Sequence, residues 1–309
     1  MLRVISVTAG VVAALHACVY RWRLMRARVE DRARLPVGPD GIVIGAEPVH
    51  MCASATHAVL VIHGFGDTPQ TVRQLAEYLH AVHGWTVRAP LLPGHGRSLA
   101  AFDASGSSAW REAVHREYTT LCVSHQTVVL VGLSMGGALV TLEAAKAPAL
   151  PALVLLSPYL TPPPRAERLA PLAGVLNLLA PYLRGGDREK SVFNAAARAK
   201  VLGYGASPPK RVRDLVALAH DARFAAADVR APTLLMHSRT DYRVPAELAA
   251  RHPSYFSAAS VVEMEWLEGV GHVITVDYGC EQVWAATAAF LARFAGAPNA
   301  AVSPIPRGA

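Results

Sequence analysis

The chain has 309 residues, 52% hydrophobic and 17% charged, a balance that excludes a disordered polymer and leaves a globular or membrane-associated protein. Its formal net charge of +7 is concentrated at one end: residues 1–34 carry seven arginines (3, 21, 23, 26, 28, 32 and 34) against Glu30 and Asp31, a net of +5. The remaining 275 residues hold only +2, so the body carries no basic groove and no nucleic-acid partner is implied.

Residues 4–20 contain no charge and are followed by Arg21-Trp22-Arg23. As a helix this run would be roughly 25 Å long, at the short limit for a membrane span. Three readings compete: an uncleaved anchor, a cleaved signal peptide, and an N-terminal helix packed on the protein. The basic flank after the apolar run favours membrane association with the body on the cytoplasmic side, with export after signal cleavage as the alternative. Leu15-His16-Ala17-Cys18 resembles a bacterial lipoprotein processing site, from which His16 departs. The four cysteines (18, 52, 122 and 280) have neither C-x-x-C nor metal-ligand spacing, so idle thiols are expected, with no metal site.

A Pro/Gly linker at 36–40 precedes a domain starting near Gly41. One or two short strands are expected within 41–51, a buried strand over 58–62, an amphipathic helix over 69–82 and a strand over 85–89. A helix over 108–122 then leads to a strand over 127–131 and a helix over 138–147. Further strands follow at 152–156, 232–237 and 261–267, and a helix at 280–294. Strands alternating with helices at this spacing describe a mostly parallel sheet covered on both faces. The α/β core is therefore assigned to 41–157 and 231–296. The interval 158–230 breaks the rhythm with a proline run and helical patches near 167–183, 188–202 and 208–225, and is read as a cap inserted over the carboxyl edge of the sheet. Its Leu169, Leu172, Val175, Leu176, Leu178 and Leu179 form either the cap's own core or a greasy rim for acyl chains or a bilayer. Residues 297–309 form a loose Pro/Ala-rich tail.

The chemistry centres on Gly132-Leu133-Ser134-Met135-Gly136, a G-x-S-x-G pattern between a strand and a helix. That context forces the serine into a strained turn exposed at the strand's carboxyl end, and the two glycines remove Cβ atoms that would collide there. A serine hydroxyl needs a base to take its proton, and the base needs an orienting acid. Asp241, after the 232–237 strand, is the candidate acid, and His272, after the 261–267 strand, the candidate base. Two backbone donors should hold the oxyanion: the amide of Met135 and one from the His63-Gly64-Phe65-Gly66 turn, for which Phe65 is chosen. His63 reads as a structural hydrogen-bonder, and Asp277 as a helix or loop support and not the acid.

Together, His63-Gly64-Phe65-Gly66, Pro93-Gly94-His95-Gly96-Arg97-Ser98, the G-x-S-x-G turn, Asp241-Tyr242-Arg243-Val244-Pro245 and Gly271-His272-Val273-Ile274-Thr275-Val276-Asp277 resemble the α/β-hydrolase fold. Within it, the chain is most similar to bacterial carboxylesterases and monoacylglycerol lipases with a small cap. The resemblance implies a cofactor-free Ser134–His272–Asp241 triad. It implies hydrolysis of small-molecule carboxylic esters through an acyl-enzyme, with medium or longer acyl chains or monoacylglycerols as substrates. Acyl transfer by the same triad, or an idle membrane-tethered binding protein on this scaffold, are the alternatives. The chain departs from the family's usual pattern at Ser238, where glycine is common, and in its Arg-rich N-terminus. The first departure should shift a turn and leave the triad intact.

Overall fold

Residues 58–62 and 128–131 are unbroken apolar runs, the pattern of strands buried on both faces. In a computed structural model, which describes residues 2–185 and 188–298, they are the inner strands of a seven-stranded sheet. The strands are β1 (Val49–Met51), β2 (His57–Ile62), β3 (Thr86–Ala89), β4 (Thr127–Leu133), β5 (Leu153–Leu156), β6 (Leu183–Arg184), β7 (Ala206–Ser207), β8 (Thr233–Ser238) and β9 (Val262–Leu267). The sheet runs β1-β3-β2-β4-β5-β8-β9, and β6 pairs with β7 separately. Every neighbouring pair in the large sheet is parallel except β1 with β3.

The helices are α1 (Leu2–Arg34), α2 (Gln70–Ala81), α3 (Leu99–Ala104), α4 (Ser107–Ser124), α5 (Met135–Ala144), α6 (Pro164–Leu169), α7 (Ala173–Leu179), α8 (Arg188–Ser191), α9 (Ala195–Lys200), α10 (Pro209–Ala225), α11 (Ala246–Ala249) and α12 (Cys280–Ala295). Successive side chains of a strand point to opposite faces, and the sheet divides its core accordingly. Leu60, Ile62 and Leu130 pack with Trp110 of α4 and Leu139 of α5. Val59, Val61 and Val129 pack with Leu75 of α2 and Phe290 of α12 on the other side. This is the α/β-hydrolase architecture.

Strand register sets the site. β2 and β4 align from His57↔Thr127 to Ile62↔Gly132, so the turns after both strands emerge side by side at the carboxyl edge. Leu133 pairs with Leu156 and Ser238 with Leu267, which brings the ends of β5, β8 and β9 to the same edge.

Residues 158–230 fold largely as helices, with the antiparallel pair β6 and β7 among them. Tyr204 fastens this segment to the catalytic edge: its amide donates to Gly66 O (2.7 Å), its hydroxyl donates to Gly94 O (2.9 Å), and Arg97 N donates to the same hydroxyl (3.0 Å). Helix α10, expected as part of the cap, instead buries Leu218, Ala219 and Ala222 in the sheet's own core. It packs against α5 and so becomes a layer of the fold.

α1 lies against the body through half-buried Tyr20, Leu24 and Ala27 and buried Asp31, whose Oδ2 accepts from Leu99 N at 3.3 Å. None of the described helices is long and apolar enough to cross a membrane, so the expected span through residues 4–20 finds no support. All four cysteines are free. The expected tail lies outside the described residues from 299 onward.

Trp110 is fully buried and donates from Nε1 to Pro93 O at 3.0 Å. Trp110→Ala should therefore lower unfolding free energy by about 3–5 kcal/mol, read as a lower urea midpoint at unchanged slope.

Candidate active site

The β4–α5 turn is built by close backbone packing. A Cβ on Gly132 would meet Gly136 O at 2.4 Å, and one on Gly136 would meet Ile62 O at 2.2 Å, so any larger residue at either position must push the backbone apart. Between them Ser134 sits at φ 55°, ψ −114°, a region costly for a residue with a Cβ. The strain is held by hydrogen bonds on both sides: Ser134 N donates to Leu156 O (2.9 Å), and Tyr159 N donates to Ser134 O (3.0 Å). Ser134 is only 9% exposed, less open than the sequence leads one to expect. The Gly64 turn lies against it, with a Cβ on Gly64 only 3.5 Å from the serine Cβ, and His272 covers its hydroxyl.

The three residues expected to act together form one hydrogen-bonded chain. Ser134 Oγ lies 2.8 Å from His272 Nε2, and His272 Nδ1 lies 2.6 Å from Asp241 Oδ2. A carboxylate only accepts, so Nδ1 carries the proton and Nε2 presents its lone pair to the serine hydroxyl. Asp241 is buried and charged, and its four donors explain how. Oδ1 accepts from Arg243 N (2.6 Å) and Val244 N (3.1 Å), while Oδ2 meets His272 and, at 3.1 Å, His237 Nε2. Burial by itself would raise this carboxyl's pKa. Electrostatic attraction to the His272 ring, whose Nδ1–H points at Oδ2, and the hydrogen bonds from His237 and His272 outweigh it and hold the group well below the usual carboxylate range.

His237 is a site residue that the sequence reading leaves unassigned. Its Nε2 lies 2.9 Å from Val244 O, and a carbonyl accepts, so Nε2–H donates to that oxygen and to Asp241 together. Its strand position reads as ordinary buried filling, and no local pattern separates it from this chain's other histidines.

The loops carrying the triad are tied to one another. Ser238 Oγ donates to Val270 O (2.6 Å) and accepts from Thr240 N (3.1 Å), so the serine that replaces the usual glycine joins the acid loop to the histidine loop. Asp277 accepts from Gly271 N (2.7 Å), Phe193 N and Asn194 N (both 2.8 Å). It thereby links the histidine loop to the inserted segment and does not approach the imidazole as the acid. His63 is a structural hydrogen-bonder: Leu92 N donates to its Nε2 (3.2 Å), so its Nδ1–H donates to Gly64 O (2.9 Å). The amide of Met135, in the first turn of α5, has no intrahelical acceptor, and Phe65 lies in the turn that Gly64 brings against Ser134. Among the described residues no group of three or more His, Cys, Asp or Glu could hold a metal ion. A cleft of about 410 Å³ lined by Tyr118, Cys122, Glu143 and Lys146 also includes Gln126, Val128 and Pro151. It thus opens at the amino ends of β4 and β5, away from Ser134.

Two measurements follow from these contacts. His237→Leu removes the fourth donor to a buried carboxylate, worth roughly 1.5–3 kcal/mol, so kcat should fall about 10- to 100-fold with little change in KM. Burial also pushes His63 down to about 4 and His252 down to about 3. The unfolded chain therefore takes up these protons first as pH drops below the ordinary histidine range. Each residue contributes stability that is complete above that range and is lost at up to about 1.4 kcal/mol per pH unit toward its folded value. Urea midpoints should fall between pH 6.5 and 4, and more shallowly in His252→Phe.

The geometry can be set beside known proteins. The chain is 28% identical over 260 residues to a thermostable monoacylglycerol lipase of Bacillus sp. (strain H-257), covering 82% of this chain and 98% of that protein. It is 25% identical over 221 residues to a carboxylesterase of Bacillus subtilis (strain 168), covering 71% and 86%. A solved metagenome-derived lipolytic enzyme superposes with a TM-score of 0.70 at 29% identity, covering 82% of this chain and 99% of that one. Residues 53–278 match the family model Hydrolase_4, described as serine aminopeptidase, S33. That match spans both halves of the sheet and all three residues of the hydrogen-bonded chain, and this protein belongs to that family.

Proposed function

We propose that the protein is a carboxylic ester hydrolase of the monoacylglycerol lipase and esterase kind, working through an acyl-enzyme on Ser134. The observation that carries this reading is the chain Ser134 Oγ–His272 Nε2 (2.8 Å) and His272 Nδ1–Asp241 Oδ2 (2.6 Å). As Ser134 Oγ attacks the ester carbonyl, His272 Nε2 takes its proton, and the new imidazolium is stabilised by Asp241. The Met135 and Phe65 amides receive the oxyanion. Collapse breaks the bond to the alcohol oxygen, which takes the proton from His272. Water then repeats the sequence: His272 accepts its proton, hydroxide adds to the acyl carbon, and the acid leaves as Ser134 regains its proton. The fixed Nδ1 tautomer supports this course, because a proton on Nε2 would leave no base for the serine.

The names of the two Bacillus relatives, a monoacylglycerol lipase and a carboxylesterase, support a carboxylic ester, and the first supports a lipid-derived one; medium or longer acyl chains are part of the proposal. Those names also weigh against a peptide substrate despite the family's description.

The test is a rate series on p-nitrophenyl esters from acetate to palmitate, with a monoacylglycerol and an aminoacyl p-nitroanilide alongside, for the full chain and Ser134→Ala. Turnover should peak at medium or long chains and fall by roughly 10⁴- to 10⁶-fold in the variant. A peak at acetate would move the substrate to small esters, and preference for the anilide would replace esterase by peptidase. Equal rates in both proteins would remove the serine mechanism.

A further inference from the structure

α1 has two sides. The one facing the body is made by Tyr20, Leu24, Ala27 and Asp31. On the opposite side Val12, Leu15, Val19, Trp22, Met25 and Val29 recur at three- and four-residue steps, each 46–67% exposed. At 1.5 Å per residue this is an apolar stripe about 25 Å long, unusual on a helix already packed along its other face. Arginines border it: Arg21 and Arg32 on one flank, Arg23 on the other. Arg26 lies over the Trp22 ring with its Cζ 5.4 Å from the centroid.

The stripe continues toward the inserted segment. His16 Nε2 donates to Leu178 O (2.8 Å) and Arg23 Nη1 to Leu179 O (3.4 Å). The side chains of these two leucines, at the end of α7, are 68% and 55% exposed. Farther along, Arg34 Nη2 donates to Gly203 O (2.9 Å), next to the Tyr204 that is fastened to the catalytic edge. α1 is thus hydrogen-bonded to the inserted segment at both ends of that stretch.

We propose that the outer face of α1, with the exposed leucines of α7, is a docking surface for an anionic lipid bilayer, with α1 lying in the interfacial plane. Charge complementarity selects this occupant. The net +5 of residues 1–34 attracts acidic headgroups while Trp22 and the aliphatic side chains enter the acyl boundary. A second copy seated on the same stripe would set Arg21 and Arg32 against their own counterparts, Arg26 being paired with Glu30. Docking brings the inserted segment to the lipid, from which a lipid-derived ester could enter. Binding itself does not depend on the serine chemistry.

The experiment is co-sedimentation of the full chain with 100 nm vesicles of phosphatidylcholine alone or with 30% phosphatidylglycerol. Binding should favour the anionic vesicles, weaken with added salt, and be equal in Ser134→Ala, which separates this proposal from the catalytic one. Arg21→Gln/Arg32→Gln should bind roughly thirtyfold more weakly, at about tenfold or less per arginine near a charged surface. Leu15→Glu/Trp22→Glu should lose binding while retaining wild-type circular dichroism and hydrolysis of a soluble short-chain ester. Trp emission should shift to the blue with vesicles, and this shift should vanish in Trp22→Phe. The proposal is overturned if the wild type ignores anionic vesicles or Leu15→Glu/Trp22→Glu binds them as well as the wild type. A concentration-dependent dimer abolished by Leu15→Glu/Trp22→Glu, without vesicle binding, would assign the stripe to a second copy instead.

Discussion

The site depends on a backbone conformation that an L-residue resists. Ser134 can occupy φ 55° only because the chain on either side is clamped, by Leu156 on its amide and Tyr159 on its carbonyl. The absence of side chains at Gly132 and Gly136 lets β4, α5 and the end of β2 approach to a distance no Cβ would allow. The result is a hydroxyl projecting from a rigid junction of strand and helix instead of from a loop, so its position is set by the core of the sheet. Strain of this kind persists where surrounding structure over-determines it.

A second constraint is the buried charge of Asp241. A carboxylate removed from water is costly unless its lone pairs are taken, and here two backbone amides and two imidazoles take them. The amides come from the acid's own loop, so local folding preforms half the shell. The imidazoles come from β8 and from the loop after β9. Ser238 and Thr240 hold that loop to the acid loop through Val270 O, and Asp277 holds it to the inserted segment. The acid loop, the histidine loop and the inserted segment are therefore joined by hydrogen bonds.

The inserted segment and α1 extend this connection outward. Tyr204 bridges the loops after β2 and β3, Arg34 joins its neighbour Gly203 to α1, and α10 is absorbed into the core. What reads as a separate lid in the sequence is anchored at both ends in the hydrolase body.

Much of this was legible in the sequence by itself. Continuous apolar runs and helical periodicity marked the strands and the helices of the core, because burial on both faces of a parallel sheet leaves no polar alternate. The G-x-S-x-G turn was legible because its glycines answer a steric demand local to five residues. Asp241 and His272 could be chosen because each follows a late strand whose carboxyl end must lie at the same edge. Tertiary structure alone decided the rest. His237 becomes a donor to Asp241, α10 a core helix and Ser238 a loop tie only through partners far away in the chain or across a turn. The low exposure of Ser134 also comes from distant loops. Local pattern reports which face a residue turns inward; it carries no record of what that face will meet, since those contacts are set by strand order and loop geometry.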